Sequence, residues 1–215
     1  MLDFQQQFLD YCIQKGVLKF GEFTLKSGRI SPYFFNAGLF HTGADMDRLG
    51  HFYAQAIRQA KLEFDVLFGP AYKGIPLAAI TVASLYRDFA MDKPYAFDRK
   101  EKKDHGEGGQ IVGAPLAGDI LIIDDVITAG TAIRQSMSLI ESLGARTCAV
   151  TIALDRQEKG QAETSAIEEL EQQGVQVIPI IRLDHIMSYL QIQGDARQLA
   201  AVEQYRGRYG VQMPA

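Results

Sequence analysis

The chain has 215 residues, a formal net charge of −4 and an apolar content of 47%. The chain has no excess of basic residues, so we do not expect it to bind a nucleic-acid polymer. No apolar run is long enough for a membrane span, and the first residues lack the pattern of a signal peptide. Cys12 and Cys148 lie far apart and outside any cluster of metal ligands. We therefore expect a cytoplasmic protein with two reduced thiols and no interaction with membranes.

Apolar segments of strand length alternate with amphipathic helical segments along most of the chain. A first helix, capped by Asp3 and closed by Gly16, precedes short strands on either side of Gly21 and an aromatic strand at Tyr33–Phe35. A helix is predicted from Ala44 to Ala60. The later predicted elements are strand 66–68, helix 74–89, strand 95–97, strand 120–123, helix 131–143, strand 149–154, helix 162–172, strand 175–181 and a polar helical end. The alternation favours a single α/β domain with a central, mainly parallel sheet flanked by helices.

The segment Ile120–Ala132 joins a buried strand to a helix through two acids and a small, hydroxyl-bearing loop. Backbone N–H groups, a glycine and the positive end of the following helix suit a phosphate group. The carboxylates of Asp124 and Asp125 can accept hydrogen bonds from vicinal sugar hydroxyls. Open α/β sheets bind ligands at the carboxyl ends of their strands, where this loop falls. The glycine spacings of a Walker A loop and of a dinucleotide-binding fingerprint are both missing from the chain.

A second loop, Phe68–Gly74, also follows a strand and precedes a helix. Glycines at its two ends permit tight backbone geometry, and Lys73 places a cation at the start of the helix. Because a helix N-terminus does not favour a cation, this lysine is better explained if an anion lies between it and the helix. The loop is therefore a candidate for binding a second phosphate group.

The third segment, Asp98–Gln110, is densely charged, lacks an apolar anchor and has three glycines near its end. Its composition predicts a mobile loop with glycine hinges that closes as a lid over an anionic substrate. Four cationic or titratable side chains would meet that substrate: Arg99, Lys100, Lys103 and His105. Cations aimed at a departing phosphate stabilise charge that develops in the transition state, and closure excludes water.

The segment Ile120–Ala132 resembles the signature of type I phosphoribosyltransferases that binds phosphoribosyl pyrophosphate (PRPP). The resemblance implies that Asp124 and Asp125 hold the ribose hydroxyls and that the following loop holds the 5-phosphate. The implied PRPP-binding residues of this signature are Asp124, Asp125, Val126, Ile127, Thr128, Ala129, Gly130, Thr131 and Ala132. In the second loop, Tyr72 and Lys73 would bind the pyrophosphate, and a non-proline cis peptide is expected at Ala71–Tyr72.

The basic loop and the N-terminal segments 23–28 and 31–35 are similar to those of the orotate phosphoribosyltransferases. This similarity implies a hood, formed by residues 1–60 and the C-terminal helices, over a core of residues 61–182. Lys26 would reach PRPP from the hood. Phe34, Phe35, Thr128 and Arg156 would contact orotate, with the Arg156 guanidinium able to grip a carboxylate by two parallel hydrogen bonds. The implied catalytic residues are Lys26, Arg99, Lys100, Lys103, His105 and Asp125.

The implied reaction transfers the ribose 5-phosphate of PRPP to N1 of orotate, giving orotidine 5-phosphate and pyrophosphate in the biosynthesis of UMP. Mg²⁺ is the expected cofactor, held mainly by substrate oxygens and water. The resemblance also implies a homodimer in which the basic loop of one subunit covers the site of the other. Two alternatives stay open: a transferase for a purine or uracil on the same fold, and a regulator that binds PRPP without turnover.

Overall fold

The computed structural model describes residues 1–25, 27–103, 109–160 and 164–211, with the side chains of residues 100–103 and 109 excluded from the description. The N-terminal part contains α1 (Asp3–Gln14), β1 (Leu18–Thr24), β2 (Ile30–Phe35), a 3₁₀ turn (Ala37–Leu39) and α2 (Gly43–Gln59). The next elements are β3 (Val66–Gly69), α3 (Gly74–Phe89), β4 (Tyr95–Lys103), β5 (Gly109–Gly113), β6 (Asp119–Ile123) and α4 (Thr131–Ser142). The chain continues with β7 (Arg146–Asp155), α5 (Ala166–Gln172), β8 (Gln176–Arg182), α6 (Leu183–Gln193) and α7 (Ala196–Tyr209).

A six-stranded sheet with the order β5-β4-β3-β6-β7-β8 forms the centre of the molecule. The pairings from β4 to β8 are parallel, and only β5 runs antiparallel to its neighbour in this sheet. Successive side chains of the inner strands enter different apolar clusters. Leu67 and Leu121 pack with the N- and C-terminal helices, whereas Phe68 and Ile122 pack with residues of α4 and α5. Both sheet faces are therefore covered, which explains why these strands are almost continuously apolar.

The predicted α/β fold with a mainly parallel sheet is confirmed, and most predicted elements lie within a few residues of their observed bounds. Asp3 is the first residue of α1 rather than its cap, and the Gln5 side chain accepts a hydrogen bond from the N–H of Leu2 at 2.8 Å. The two strands predicted around Gly21 form one strand, β1. Its pairing with β2 is irregular between Phe20 and Phe23, so the strand continues through Gly21.

The prediction of a loop across Asp98–Gln110 was wrong at both ends. Residues up to Lys103 belong to β4 and residues from Gly109 belong to β5, and the two strands pair as an antiparallel hairpin. Backbone pairing needs no apolar side chains, and charged residues are common on strands at the edge of a sheet. Residues 104–108 lie outside the described part of the chain.

None of the helices in the described ranges has both the length and the apolar character needed to cross a membrane.

Candidate active site

A cavity of about 1190 Å³ opens beyond the carboxyl ends of β3, β6 and β7. Stretches of chain that are remote in sequence form its walls: the β1–β2 hairpin, the loop after β3, the loop after β6, the segment after β7 and the start of α5. The predicted site residues that line the cavity are Phe34, Phe35, Lys73, Asp125, Val126, Ile127, Thr128, Ala129, Thr131 and Arg156. The sheet topology therefore brings together residues that the sequence separates by more than a hundred positions.

The two acids of the predicted sugar clamp follow β6 directly. The N–H of Asp125 donates to Oδ1 of Asp124 at 2.8 Å, and the backbone carbonyl of Asp124 accepts from the hydroxyl of buried Tyr53 at 2.8 Å. Burial and the neighbouring Asp125 carboxylate raise the pKa of Asp124 to about 6. The acid pair is thus fixed by its own backbone and by α2, and the raised pKa makes Asp124 easier to protonate than a free aspartate.

The predicted phosphate loop ends at Gly130, which adopts a left-handed conformation (φ 70°) immediately before α4. The guanidinium of Arg134, one turn into the helix, donates to the carbonyl of Ala129 and lies 3.3 Å from the Glu169 carboxylate of α5. Because Arg134 binds this carbonyl, it restrains the loop from the side of the helix. The helix start and the adjacent loop form an arrangement suited to a phosphate group.

The second loop passes very close to the start of α3. A Cβ atom added to Gly74 would lie 2.7 Å from the backbone carbon of Gly69, so the tight geometry predicted for these glycines is confirmed. The peptide bond between Ala71 and Tyr72 is cis, as predicted. The N–H of Ala71 donates to the Asp98 carboxylate of β4 at 2.6 Å, which ties this loop to the base of the β4–β5 hairpin.

Aromatic side chains form the wall of the cavity on the side of the β1–β2 hairpin. Phe34 is 38% exposed, whereas Phe35 is buried against Phe8. The ring of Phe23 stacks on Phe34, with 5.5 Å between the ring centroids. Adjacent residues of the strand thus face opposite ways, and Phe34 is the more accessible of the two.

Arg156 follows β7 and is largely buried, with 11% of its side chain exposed. Its Nε donates to Oε1 of Glu158 at 2.7 Å, and its Nη2 donates to Oγ of Ser31 at 3.2 Å. The guanidinium carbon lies 4.4 Å from the centre of the Tyr33 ring. Glu158 and the N-terminal hairpin therefore hold the arginine from different sides.

The remaining predicted residues either do not line the cavity or lie outside the described part of the chain. Arg99 is half-buried on β4, and Tyr72 is 66% exposed beside Lys73. Asp124, Gly130 and Ala132 belong to the signature without lining the cavity themselves. Lys26 and His105 lie outside the described residues, as do the side chains of Lys100 and Lys103.

Three residues that the sequence did not single out also organise the site: Asp98, Arg134 and Glu158. Each one binds a residue of a predicted motif, and Arg134 and Glu158 also line the cavity. The only sequence signal for Glu158 is an acid two positions after Arg156, and Arg134 follows Gly130 at helical spacing. Neither signal identifies a partner without the fold.

No group of three or more metal-binding side chains was found among the described residues.

Comparisons with known proteins give a consistent family. Residues 39–180 match the family model described as "Phosphoribosyl transferase domain". The chain is 58% identical over 213 residues to the orotate phosphoribosyltransferase of Thioalkalivibrio sulfidiphilus, covering 98% of this chain and 100% of that protein. It is 59% identical over 213 residues to the enzyme of that name from Pseudoalteromonas translucida, with the same coverage.

A solved structure supports the same assignment. The crystal structure of orotate phosphoribosyltransferase from Francisella tularensis matches with a TM-score of 0.88 at 43% identity, covering 95% of this chain and 99% of that one. The fold, the arrangement of the signature segments and these matches agree. The chain belongs to the phosphoribosyltransferase family, and within it to the orotate phosphoribosyltransferases.

Proposed function

We propose that this protein joins orotate to PRPP, forming orotidine 5-phosphate and pyrophosphate as a step in the biosynthesis of UMP. The observation that carries the proposal is the single cavity in which the signature loop after β6 faces Phe34 and Arg156. One side of this cavity suits a phosphorylated sugar, and the other suits a flat anion. Membership of the orotate phosphoribosyltransferases supports the same pair of substrates.

PRPP would bind along the carboxyl ends of the strands. Backbone N–H groups from Thr128 to Ala132 and the start of α4 would hold the 5-phosphate. Asp124 and Asp125 would accept hydrogen bonds from the ribose hydroxyls, which orients the sugar. Lys73 and the backbone around Tyr72 would meet the pyrophosphate, and Lys26 would reach it from the hood.

Orotate would lie between the aromatic wall and Arg156. The accessible ring of Phe34 offers a flat apolar surface, and Phe35 supports the strand from inside. The guanidinium of Arg156 is an always-charged donor suited to an oxygen of the planar anion. Thr128 would contact both substrates because its loop lies between their two sites.

The reaction is a substitution at the ribose carbon C1. A bond forms between C1 and N1 of orotate while the bond from C1 to the pyrophosphate oxygen breaks, with inversion at the carbon, and the N1 proton is lost to solvent. The sugar acquires positive character and needs no protein nucleophile, so positioning and charge neutralisation carry the catalysis. Asp125 stabilises the sugar side, while Arg99, Lys100, Lys103 and His105 neutralise the departing pyrophosphate.

Mg²⁺ is the proposed cofactor. The described residues include no cage of protein ligands, but the carboxylate of Asp125 faces the cavity beside the place proposed for the ribose hydroxyls and pyrophosphate. This oxygen-rich setting fits a Mg²⁺ ion that keeps water and phosphate ligands. When bound, the ion would neutralise charge on the leaving pyrophosphate.

The protein is also proposed to act as a homodimer, in which the basic residues of the β4–β5 hairpin cover the active site of the partner subunit. The position of Asp98 supports a link between this hairpin and the pyrophosphate loop, because its carboxylate holds the N–H of Ala71.

Ultraviolet absorbance of orotate tests the proposed reaction. With PRPP and Mg²⁺ present we expect orotate to be consumed, and omission of either should stop the reaction. A panel of uracil, adenine, guanine and hypoxanthine serves as the comparison. Turnover of one of these bases instead of orotate would preserve the fold assignment but overturn the substrate, and PRPP binding without any turnover would favour a regulator.

The variant Lys103→Ala tests the proposed lid. Its turnover of orotate should be severely slowed while the protein remains folded.

A further inference from the structure

The guanidinium of Arg156 is fixed by one carboxylate. Its Nε and Nη2 lie 2.7 Å and 2.6 Å from the same oxygen, Oε1 of Glu158. Both side chains are mostly buried, with exposed fractions of 11% and 14%. One of the two guanidinium edges that can grip a carboxylate by parallel bonds is therefore already occupied by the protein.

Glu158 is itself held by the C-terminal end of the chain and by Arg29. The hydroxyl of Tyr205, on α7, donates to the same Oε1 at 3.1 Å, and Nη1 of Arg29 lies 3.7 Å from Oε2. Glu158 also forms an isolated antiparallel β-bridge with Gly210. With these partners, the carboxylate of Glu158 has little freedom to rotate.

The backbone repeats this attachment on both sides of Glu158. The N–H of Lys159 donates to the carbonyl of Tyr209 at 2.9 Å, and the N–H of Val211 donates to the carbonyl of Gln157 at 3.0 Å. Residues 157–159 are thus paired with residues 209–211 at the end of α7. The position of Arg156 depends on contacts with a helix that lines no part of the cavity within the described residues.

Arg156 lines the cavity, and the hydrogen bonds that fix its guanidinium run from Nε and Nη2. A guanidinium anchored at Nε and Nη2 can present Nη1 to a ligand without losing further rotational freedom. We propose that Glu158, held by Tyr205, is the positioning residue for Arg156, so that α7 sets the affinity for orotate from outside the cavity. The inference rests on the proposed function, because it concerns the orotate side of that site.

The experiment compares Glu158→Ala, Glu158→Gln and Tyr205→Phe with Glu203→Ala, an exposed acid on α7 that serves as the control. Steady-state kinetics give KM for orotate and for PRPP separately. We expect Glu158→Ala to raise the KM for orotate by about tenfold or more, as for a lost hydrogen bond to a charged group, with KM for PRPP within about twofold. Glu158→Gln should recover part of the loss, Tyr205→Phe should show a smaller rise, and the control should match the wild type.

A double-mutant comparison separates positioning from a general loss of structure. If Glu158 acts through Arg156, then adding Glu158→Ala to Arg156→Ala should raise the KM for orotate no further. An undiminished effect in that background, or an equal rise in both KM values, would overturn the proposal. If Glu158→Ala does not fold, judged by circular dichroism, the same comparison is made with Glu158→Gln and Tyr205→Phe, and unchanged KM values for orotate in both would overturn it.

The two proposals fail in different ways. If the wild type consumes orotate and the variants have unchanged KM values, only the proposed role of Glu158 is overturned. If the wild type does not consume orotate, the proposed function is overturned, and this inference with it.

Discussion

The ammonium of Lys73 lies 2.5 Å from Oδ2 of Asp125, and this ion pair joins the two loops that are proposed to hold PRPP. The lysine is two-thirds exposed, whereas the aspartate is mostly buried. The chemistry of PRPP offers each partner an alternative, since phosphate oxygens suit the ammonium and ribose hydroxyls suit the carboxylate. We therefore expect substrate binding to exchange this pair for two separate contacts.

Replacing Lys73 tests that exchange. Lys73→Ala should raise the KM for PRPP by about 10- to 100-fold, as for a lost charge-assisted hydrogen bond, while KM for orotate changes little. Because the lysine is so exposed, its ion pair contributes at most about 1 kcal/mol to the free energy of unfolding. Arg197→Ala, which removes an exposed cation from α7, is the control. Equal KM values for PRPP in the two variants would contradict a role for Lys73 in binding.

The raised pKa of Asp124 predicts a pH dependence of stability. Burial first, and then the charge of Asp125, raise the pKa from 3.8 to about 6, so the folded protein binds the proton more tightly than the unfolded chain. The contribution of this group to stability is therefore complete below about pH 4 and is lost as the pH rises through 6. Its loss corresponds to about 1–3 kcal/mol.

Asp124→Asn should remove that component. Urea unfolding between pH 4 and pH 7 should show a flatter profile for the variant, with a gain in stability over the wild type above pH 6. The exposed Asp92→Asn is the control and should follow the wild-type profile. Parallel profiles for Asp124→Asn and the wild type would show that ionisation of this carboxyl does not lower the stability.

Arg134 should affect PRPP through the phosphate loop. Without its bond to the carbonyl of Ala129, the loop loses a restraint, and Arg134→Ala should raise the KM for PRPP by about three- to tenfold. Arg146→Ala removes a comparable exposed arginine, paired with Asp119 at the amino ends of the strands, and should leave KM unchanged. A matching change in both variants would point to a general effect of lost surface charge.

The close approach of Gly69 to Gly74 predicts a strong effect of one methyl group. A Cβ at Gly69 would overlap the backbone carbonyl of Gly74, so Gly69→Ala should cost about 1–3 kcal/mol of stability or more and displace the pyrophosphate loop. Gly207→Ala is the matched control, because a Cβ there meets open space within α7 and should stabilise by about 0.5–1 kcal/mol. Thermal unfolding should therefore move in opposite directions for the two variants.

The sequence predicts this fold well where one signal dominates. The continuous apolar run of β6 and the glycine-bounded loop before α3 identify buried strands and tight turns directly, and α3 spans the predicted 74–89. The β4–β5 hairpin was missed because its strands are charged and glycine-rich, and their pairing depends on backbone bonds that composition does not encode.

The site shows the same division. The position of the acid pair and of the loop between β6 and α4 was predictable because contiguous residues carry the whole motif. The supporting contacts of Asp98 and Glu158 were not, since each joins segments that only the tertiary structure brings together. Tyr205 lies 47 positions from Glu158, and no periodicity relates them.

Product analysis tests the central claim most directly. Purified protein with orotate, PRPP and Mg²⁺ should yield orotidine 5-phosphate and pyrophosphate in equal amounts, measured by liquid chromatography with mass spectrometry and by an enzymatic assay for pyrophosphate. Equal formation of both products, abolished when orotate is omitted, is the result that we predict. Pyrophosphate released without orotidine 5-phosphate, or neither product formed from intact substrates, would contradict the proposed transfer.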